Sequence, residues 1–305
     1  MTTHSQPVAS SFKTFWNLLR PHTLTASFIP VSIGSILALI DGNFHLGLFL
    51  AMLIASLLIQ AATNMFNEYY DYKRGLDNEN SIGIGGAIVR DGVAPKTILN
   101  LALLFFGIAT LLGIYICYES SWWIALIGTI CMFAAYLYTG GPVPIAYTPF
   151  GELVAGFFMG EVIIGISYYI HTGTVPAHVL LIAIPSSITI GLLLTANNIR
   201  DLDNDKENGR KTLVILLGKS NSIVFLGSMF TIAYALIVIY VILGIISPFT
   251  LISLISIPLA FKAVKGFIGK TEPIQMMPAF VYTAKTNTIM GFLIIIGLLI
   301  GHIFS

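Results

Sequence analysis

LGLFLAMLIASLLIQAATNMFNEYYDYKRGLD, residues 46–77, is the stretch that decides the fold. From Leu46 to Asn67 it carries no charged side chain, and about 20 helical residues suffice to cross a hydrocarbon core of roughly 30 Å. It then turns polar without a break. Asn64 and Asn67 lie inside the apolar run, and Glu68, Asp71, Lys73, Arg74 and Asp77 follow directly. A second apolar stretch ends in the same manner, with NNIRDLDNDK at 197–206. Acidic groups beside hydrocarbon are costly unless something positive compensates them, so the two runs point to a metal-dependent site at a membrane surface.

The surrounding chain supports a membrane setting. Its 305 residues are 56% hydrophobic and 10% charged, with a mean hydropathy of +0.88, whereas soluble chains carry about 25% charged residues. Nine spans are expected, at 22–40, 46–67, 97–117, 122–139, 149–170, 178–199, 221–244, 248–264 and 286–304; Pro248 and Pro258 interrupt the eighth. The expected fold class is therefore all-α, a polytopic membrane protein. With a cytoplasmic N-terminus, every Lys and Arg falls on one side: Lys13 and Arg20, then Lys73, Arg74, Arg90 and Lys96, then the group from Arg200 to Lys219, then Lys262, Lys265, Lys270 and Lys285. The opposite loops hold groups such as Asp41, Glu119, His171 and His178. This one-sided distribution follows the positive-inside rule. Topology thus accounts for the basic residues, and no nucleic-acid partner is expected. No cleavable signal peptide is expected either, because the first apolar run continues into a polytopic chain. Cys117 and Cys131 read as small apolar residues, and the scattered histidines show no ligand spacing.

No linker divides the chain, so residues 1–305 are expected to form a single transmembrane domain. Asn67 precedes Asp71 by four residues, as Asn197 precedes Asp201, and four spans separate the clusters. This suggests a four-helix unit used twice, 22–139 and 149–264, with a ninth helix added; such repeats commonly place a site at their interface.

Helical spacing brings the polar groups of each cluster onto one face. Asn64, Asn67 and Asp71 are i, i+3, i+7, and Asn197, Asp201 and Asp205 are i, i+4, i+8, with Asn198 alongside. Carboxylate and amide oxygens suit a hard cation, and Mg²⁺ typically takes one or two carboxylates together with phosphate oxygens of a substrate. Neighbouring Arg and Lys suit the remaining phosphate charge. Glu79, Asp91, Asp203 and Glu207 read equally well as solvated loop groups. Glu152 and Glu161 lie within the fifth span, where pairing to a neighbouring helix competes with function. Gly218-Lys219-Ser220 is not a phosphate-binding loop, since position 213 is Leu where the motif requires Gly. Gly83, Gly85 and Gly86 fit a flexible loop closing over the site. Tyr69, Tyr70, Tyr72, Tyr136, Tyr138 and Tyr147 crowd the cytoplasmic span ends as interface residues, some of them suited to border a cation.

The chain resembles the UbiA superfamily of intramembrane prenyltransferases. The resemblance rests on the motif from Asn67 through Asp71 to Asp77, on Asp201-x-x-x-Asp205, and on LLRPHTL from Leu18, and it spans essentially the whole chain. Within the superfamily it is most similar to the 1,4-dihydroxy-2-naphthoate polyprenyltransferases of menaquinone synthesis, through GGAIVRDG at 85–92, YTGGP at 138–142, Gly151-Glu152 and NNIRDLDNDKENGRKTL at 197–213. The Tyr-x-x-x-Lys motif of the 4-hydroxybenzoate branch is absent, because Gly140 and Pro142 follow Tyr136 and Tyr138. The resemblance implies a bundle with a central cavity open to the cytoplasm. It also implies that Asp71, Asp77, Asp201 and Asp205, helped by Asn67 and Asn197, hold Mg²⁺ bridged to a polyprenyl diphosphate. Lys73, Arg74, Arg90, Lys206, Arg210 and Lys211 become candidate diphosphate contacts, and Tyr138 and Asn198 candidate substrate contacts. The implied reaction is prenylation of 1,4-dihydroxy-2-naphthoate with decarboxylation, at the cell membrane. Two alternatives remain: another branch of the superfamily (benzoate, haem or chlorophyll), or a cation-coupled transporter.

Overall fold

The computed structural model describes residues 11–76 and 86–304, and every element among them is helical. In chain order the helices are α1 (Ser11–Leu19), α2 (Pro21–Ile40), α3 (Leu46–Lys73), α4 (Pro95–Glu119), α5 (Trp123–Thr139), α6 (Gly151–Gly156), α7 (Ile163–Thr172), α8 (Ala177–Arg200), α9 (Leu202–Glu207), α10 (Leu213–Leu217), α11 (Lys219–Ile242), α12 (Ile257–Phe267) and α13 (Pro273–Phe304). A π-helical turn, Phe157–Val162, joins α6 to α7, and a 3₁₀ segment, Pro248–Ser256, runs into α12. Among the described residues, eight helical segments are long and apolar enough to cross a membrane. The expected fourth span is the shorter α5, with 17 residues.

In lipid a helix satisfies every backbone polar group within its own segment, which is why the described residues resolve into helices alone. Apolar side chains such as Leu111, Ile130, Phe133 and Leu153 point outward, as a lipid-facing surface requires. Inward-facing Ile33, Ile164, Ile199, Leu226, Phe267 and Met290 join α2, α7, α8, α11, α12 and α13 into the main core. A separate cluster of Met65, Phe66, Ile98 and Ala102 clasps α3 to α4.

Small residues set the closest approach. A Cβ on Gly156 would lie 2.6 Å from the Ser187 carbonyl oxygen, and one on Gly160 would lie 2.5 Å from Ser187 Cα. This Gly-x-x-x-Gly face lets the α6–π–α7 span press against α8. The π turn between the two α-helical pieces accompanies Phe158 and Met159 in the wall of the central cavity, a common use of such turns.

Three expectations need correction. The second span was expected to end at Asn67, yet α3 continues to Lys73, so the first cluster is carried on the helix itself. The ninth was expected to begin at 286, but α13 begins at Pro273 and includes Lys285. Its polar stretch looks loop-like, but its hydroxyls and the Asn287 Oδ1 are hydrogen-bonded within the bundle, while the Asn287 Nδ2 stays buried without a partner. Thr283 and Thr286 donate to carbonyls four residues back, and Thr189 donates to Asn287 at 2.8 Å. Finally, Asn197, Asp201 and Asp205 do not ride one unbroken helix, because α8 stops at Arg200 and α9 starts at Leu202. Asp201 N–H still bonds the Asn197 carbonyl and Asp205 N–H the Asp201 carbonyl, so the one-turn spacing survives the break.

Candidate active site

Both clusters end in the same backbone device. After Asp71, Gly75 adopts a φ of +75°; Leu76 N–H bonds the Asp71 carbonyl and Gly75 N–H that of Tyr72. After Asp205, Gly209 adopts +74°; Arg210 N–H bonds the Asp205 carbonyl and Gly209 N–H that of Lys206. These are Schellman ends, which favour glycine in the left-handed position. Each fixes an Asp four residues before its glycine, and the second also turns Arg210 back toward the bundle.

Arg210 is where the clusters meet. Its guanidinium lies 3.1 Å from Asp205 and 3.4 Å from Asp71, residues 139 positions away in the case of Asp71, and 4.5 Å from the centre of the Tyr147 ring. Arg200 does the same locally. It is buried, grips Asp201 with both Nε and Nη2, and donates to Asn197 Oδ1 at 2.8 Å. Arg20 stands 3.7 Å from Glu68, whose buried carboxylate also accepts from Gly86 N–H at 2.8 Å and Ile88 N–H at 3.3 Å. Asn64 donates to the Leu19 carbonyl and Thr23 hydroxyl, tying α3 to the end of α1 and the first turn of α2.

These groups form one end of a cavity of about 1040 Å³. Of the expected site residues, Asn67, Asp71, Arg90, Tyr138, Asn197, Asn198, Asp201, Asp205 and Arg210 line it. From there the cavity follows α4 to its other end, where Ile116, Cys117, Trp122 and Ile124 make an apolar wall. Burial pushes the Asp205 carboxyl up to about 6, against the opposing pull of Arg210.

Four expected diphosphate contacts are not brought to the wall. Lys73, Lys206 and Lys211 are exposed, because flexible ammonium groups at helix ends keep their hydration. Arg74 is drawn away by stronger local partners: it donates to the carbonyls of Thr139 at 2.6 Å and Gly141 at 3.0 Å and stacks between Tyr70 and Tyr147. It staples α3 to the end of α5. Asp77, and with it Glu79, Gly83 and Gly85 of the expected loop, lie outside the described residues. Sequence reasoning assigned no site role to Arg20 or Arg200, although both stand within the strings that carried the family resemblance.

The donor set suits a hard cation. Asn67 Oδ1 and Asp205 Oδ2, one from each cluster, are buried oxygens with no hydrogen-bond partner. Among the described residues no three His, Cys, Asp or Glu side chains make a ready metal cage. Mg²⁺ commonly completes its shell with substrate phosphate and water.

The chain matches the model of the UbiA prenyltransferase family over residues 27–289. It is 54% identical to 1,4-dihydroxy-2-naphthoate octaprenyltransferase of Bacillus subtilis, covering 94% of this chain and 92% of that one. It is 27% identical to human UbiA prenyltransferase domain-containing protein 1, over 93% of this chain and 82% of the relative. Among solved structures, the apo UbiA homologue from Aeropyrum pernix K1 superposes with a TM-score of 0.69 at 17% identity, over 90% and 98% of the two chains. A UbiA homologue from Archaeoglobus fulgidus bound to DMAPP and Mg²⁺ gives 0.64 at 15% identity, over 92% and 99%. A bundle with two converging Asn/Asp clusters and a family match across most of its length together make this chain a member of the UbiA prenyltransferase family.

Proposed function

We propose that this protein transfers a polyprenyl group from polyprenyl diphosphate to 1,4-dihydroxy-2-naphthoate, with loss of carbon dioxide, in menaquinone synthesis. The observation that carries prenyl transfer is the cavity itself: facing acids and bridging arginine at one end, an apolar wall at the other. The choice of acceptor rests on the 54% identity to the Bacillus subtilis enzyme.

Asn67, Asp71, Asn197, Asp201 and Asp205, with Asp77, are the residues that would hold Mg²⁺. Bound there, Mg²⁺ supplies electrostatic neutralisation of a diphosphate leaving group. Arg210, Arg200, Arg20 and Arg90 add fixed positive charge around the same oxygens, preorganised by their carboxylate partners. The allylic carbon–oxygen bond breaks with its electron pair going to diphosphate. The electron-rich ring carbon then bonds the allylic carbon, and the ring carboxylate leaves as carbon dioxide. The apolar wall holds the prenyl tail and excludes water from the allylic cation. We also read the protein as a cell-membrane enzyme with its N-terminus and charged cavity end toward the cytoplasm, since the Lys and Arg gather there, and as one domain made of two related four-helix units and a last helix.

The test supplies purified protein with Mg²⁺, labelled polyprenyl diphosphate and either 1,4-dihydroxy-2-naphthoate or 4-hydroxybenzoate. The expected product is prenylated naphthol with released carbon dioxide. Prenylated benzoate with untouched naphthoate would overturn the acceptor assignment. A transporter would move its cation without consuming diphosphate, and its polar groups would extend along the cavity rather than gather at one end.

A further inference from the structure

Glu152 is left over from the site described so far. It sits in the first turn of α6, buried to 6% exposure, in a segment otherwise built for apolar surroundings. A carboxyl in such a position is costly and needs a reason. Its Oε1 accepts from Asn198 Nδ2 at 2.8 Å, while its Oε2 is buried without a partner. The placement is fixed by backbone. A Cβ on Gly191 would lie 2.9 Å from the Glu152 carbonyl oxygen, so only glycine lets α6 come so close to α8. Asn198 stands two turns beyond Gly191 on that same face.

Asn197 and Asn198 then divide their work. Asn197 is engaged by Arg200, on the side of the acids. Asn198 lines the cavity, as does Tyr138, whose hydroxyl lies 3.5 Å from where a Cβ on Gly151, the neighbour of Glu152, would stand. An asparagine amide has a donating and an accepting end, and its neighbours decide which way it points. Glu152 Oε1 takes the donating end, which leaves the amide oxygen for the cavity.

We propose that Glu152 is a positioning residue for the aromatic acceptor: it holds Asn198 so that the amide oxygen accepts a hydrogen bond from an acceptor hydroxyl. The inference rests on the naphthoate reading given above. A hydroxyl bonded in this way keeps more electron density in the ring, which favours attack on the allylic carbon. It also explains why a carboxyl occupies a place where an apolar residue would pack at lower cost.

The experiment compares unsubstituted protein with Glu152→Ala and Glu152→Gln, all in lipid nanodiscs with Mg²⁺. Steady-state rates give KM for acceptor and for polyprenyl diphosphate separately. Equilibrium binding gives Kd for 1,4-dihydroxy-2-naphthoate and for 2-naphthoate, which lacks both hydroxyls. In Glu152→Ala the acceptor KM rises about tenfold, the effect of one lost oriented hydrogen bond, while the diphosphate KM stays within about twofold. The preference for the dihydroxy compound over 2-naphthoate falls by a similar factor of about ten. Glu152→Gln, with the same size and a carbonyl that still accepts from Asn198, retains part of that preference and guards against a folding artefact. An unchanged dihydroxy preference in both variants, or parallel rises in both KM values, overturns the proposal. Failure of the unsubstituted protein to prenylate naphthoate overturns the functional reading instead, and is seen without any variant.

Discussion

Replacing Arg210 by Gln removes the cation that stands between Asp71 and Asp205. At 3.4 and 3.1 Å, each attraction is worth about 5 kcal/mol in gross terms at an effective dielectric near 20. Desolvation offsets much of that, and removing one partner of a buried pair costs a net of about 3–5 kcal/mol. Arg210 keeps 15% exposure and Asp71 22%, so the lower end applies, about 3 kcal/mol. In a chain of 305 residues that lowers the thermal midpoint by about 5 °C. The loss depends on pH in a definite direction. Burial raises the Asp205 carboxyl to about 6 despite Arg210, above the unfolded value near 3.9. The native state therefore binds this proton more tightly, and stability is lost as pH rises from the unfolded value through about 6. Without Arg210 the carboxyl moves higher still, so the loss continues to higher pH. Thermal unfolding of the Mg²⁺-free protein in detergent, at pH 5 and pH 8, reads both effects. The variant's deficit is expected to be larger at pH 8. A deficit equal at the two pH values, or absent at pH 8, would refute the bridging role.

Mg²⁺ binding should itself weaken on acidification, because a ligand carboxylate must be deprotonated; below about pH 6 the apparent affinity, measured by calorimetry, falls by up to about tenfold per unit for one coupled proton. Gly209→Ala meets no side-chain obstacle but forces Cβ into a φ of +74°, costing about 1 kcal/mol. It also displaces Arg210, so the KM for polyprenyl diphosphate rises while Gly107→Ala, in open space on α4, leaves it unchanged. Gly160→Val drives its side chain into Ser187 and separates α8 from the π turn, at about 1–3 kcal/mol of overpacking; detergent melts read the loss, and a midpoint equal to the parent's would argue against this close packing.

The parts of the fold legible in the sequence are those governed by local periodicity. Asn67 and Asp71 announce themselves because a helix returns to the same face every three or four residues, and that face is the one the cavity uses. The end of α3 was misjudged because hydropathy falls at Glu68, whereas the helix stops only where Gly75 can take a left-handed φ. The start of α13 escapes hydropathy for the opposite reason: Thr283, Thr286 and Asn287 are polar in composition but bonded in place through the two hydroxyls and the Asn287 Oδ1. Long-range pairing left no local trace. Nothing near Arg210 tells that it reaches Asp71, and nothing near Arg74 tells that two carbonyls at the end of α5 claim it. The family strings contained Arg20 and Arg200, but spacing alone gave them no task.

The paired Schellman ends have a consequence in the electrostatics of the backbone. Asp71 and Asp205 each occupy the final turn of a helix, where aligned peptide dipoles present their negative pole. A carboxylate there is disfavoured by about 0.3–1 kcal/mol, and cations are the residues that ordinarily belong. Two helices thus bring negative poles as well as carboxylates to one cavity end, and the backbone carbonyls add to a field that attracts positive charge. The fold holds its acids where they are least comfortable. On the proposed reading of Asp71 and Asp205 as cation ligands, a substitution that relieves this discomfort would make a sturdier bundle with a weaker grip on the cation, so stability and catalysis would pull in opposite directions at these two positions.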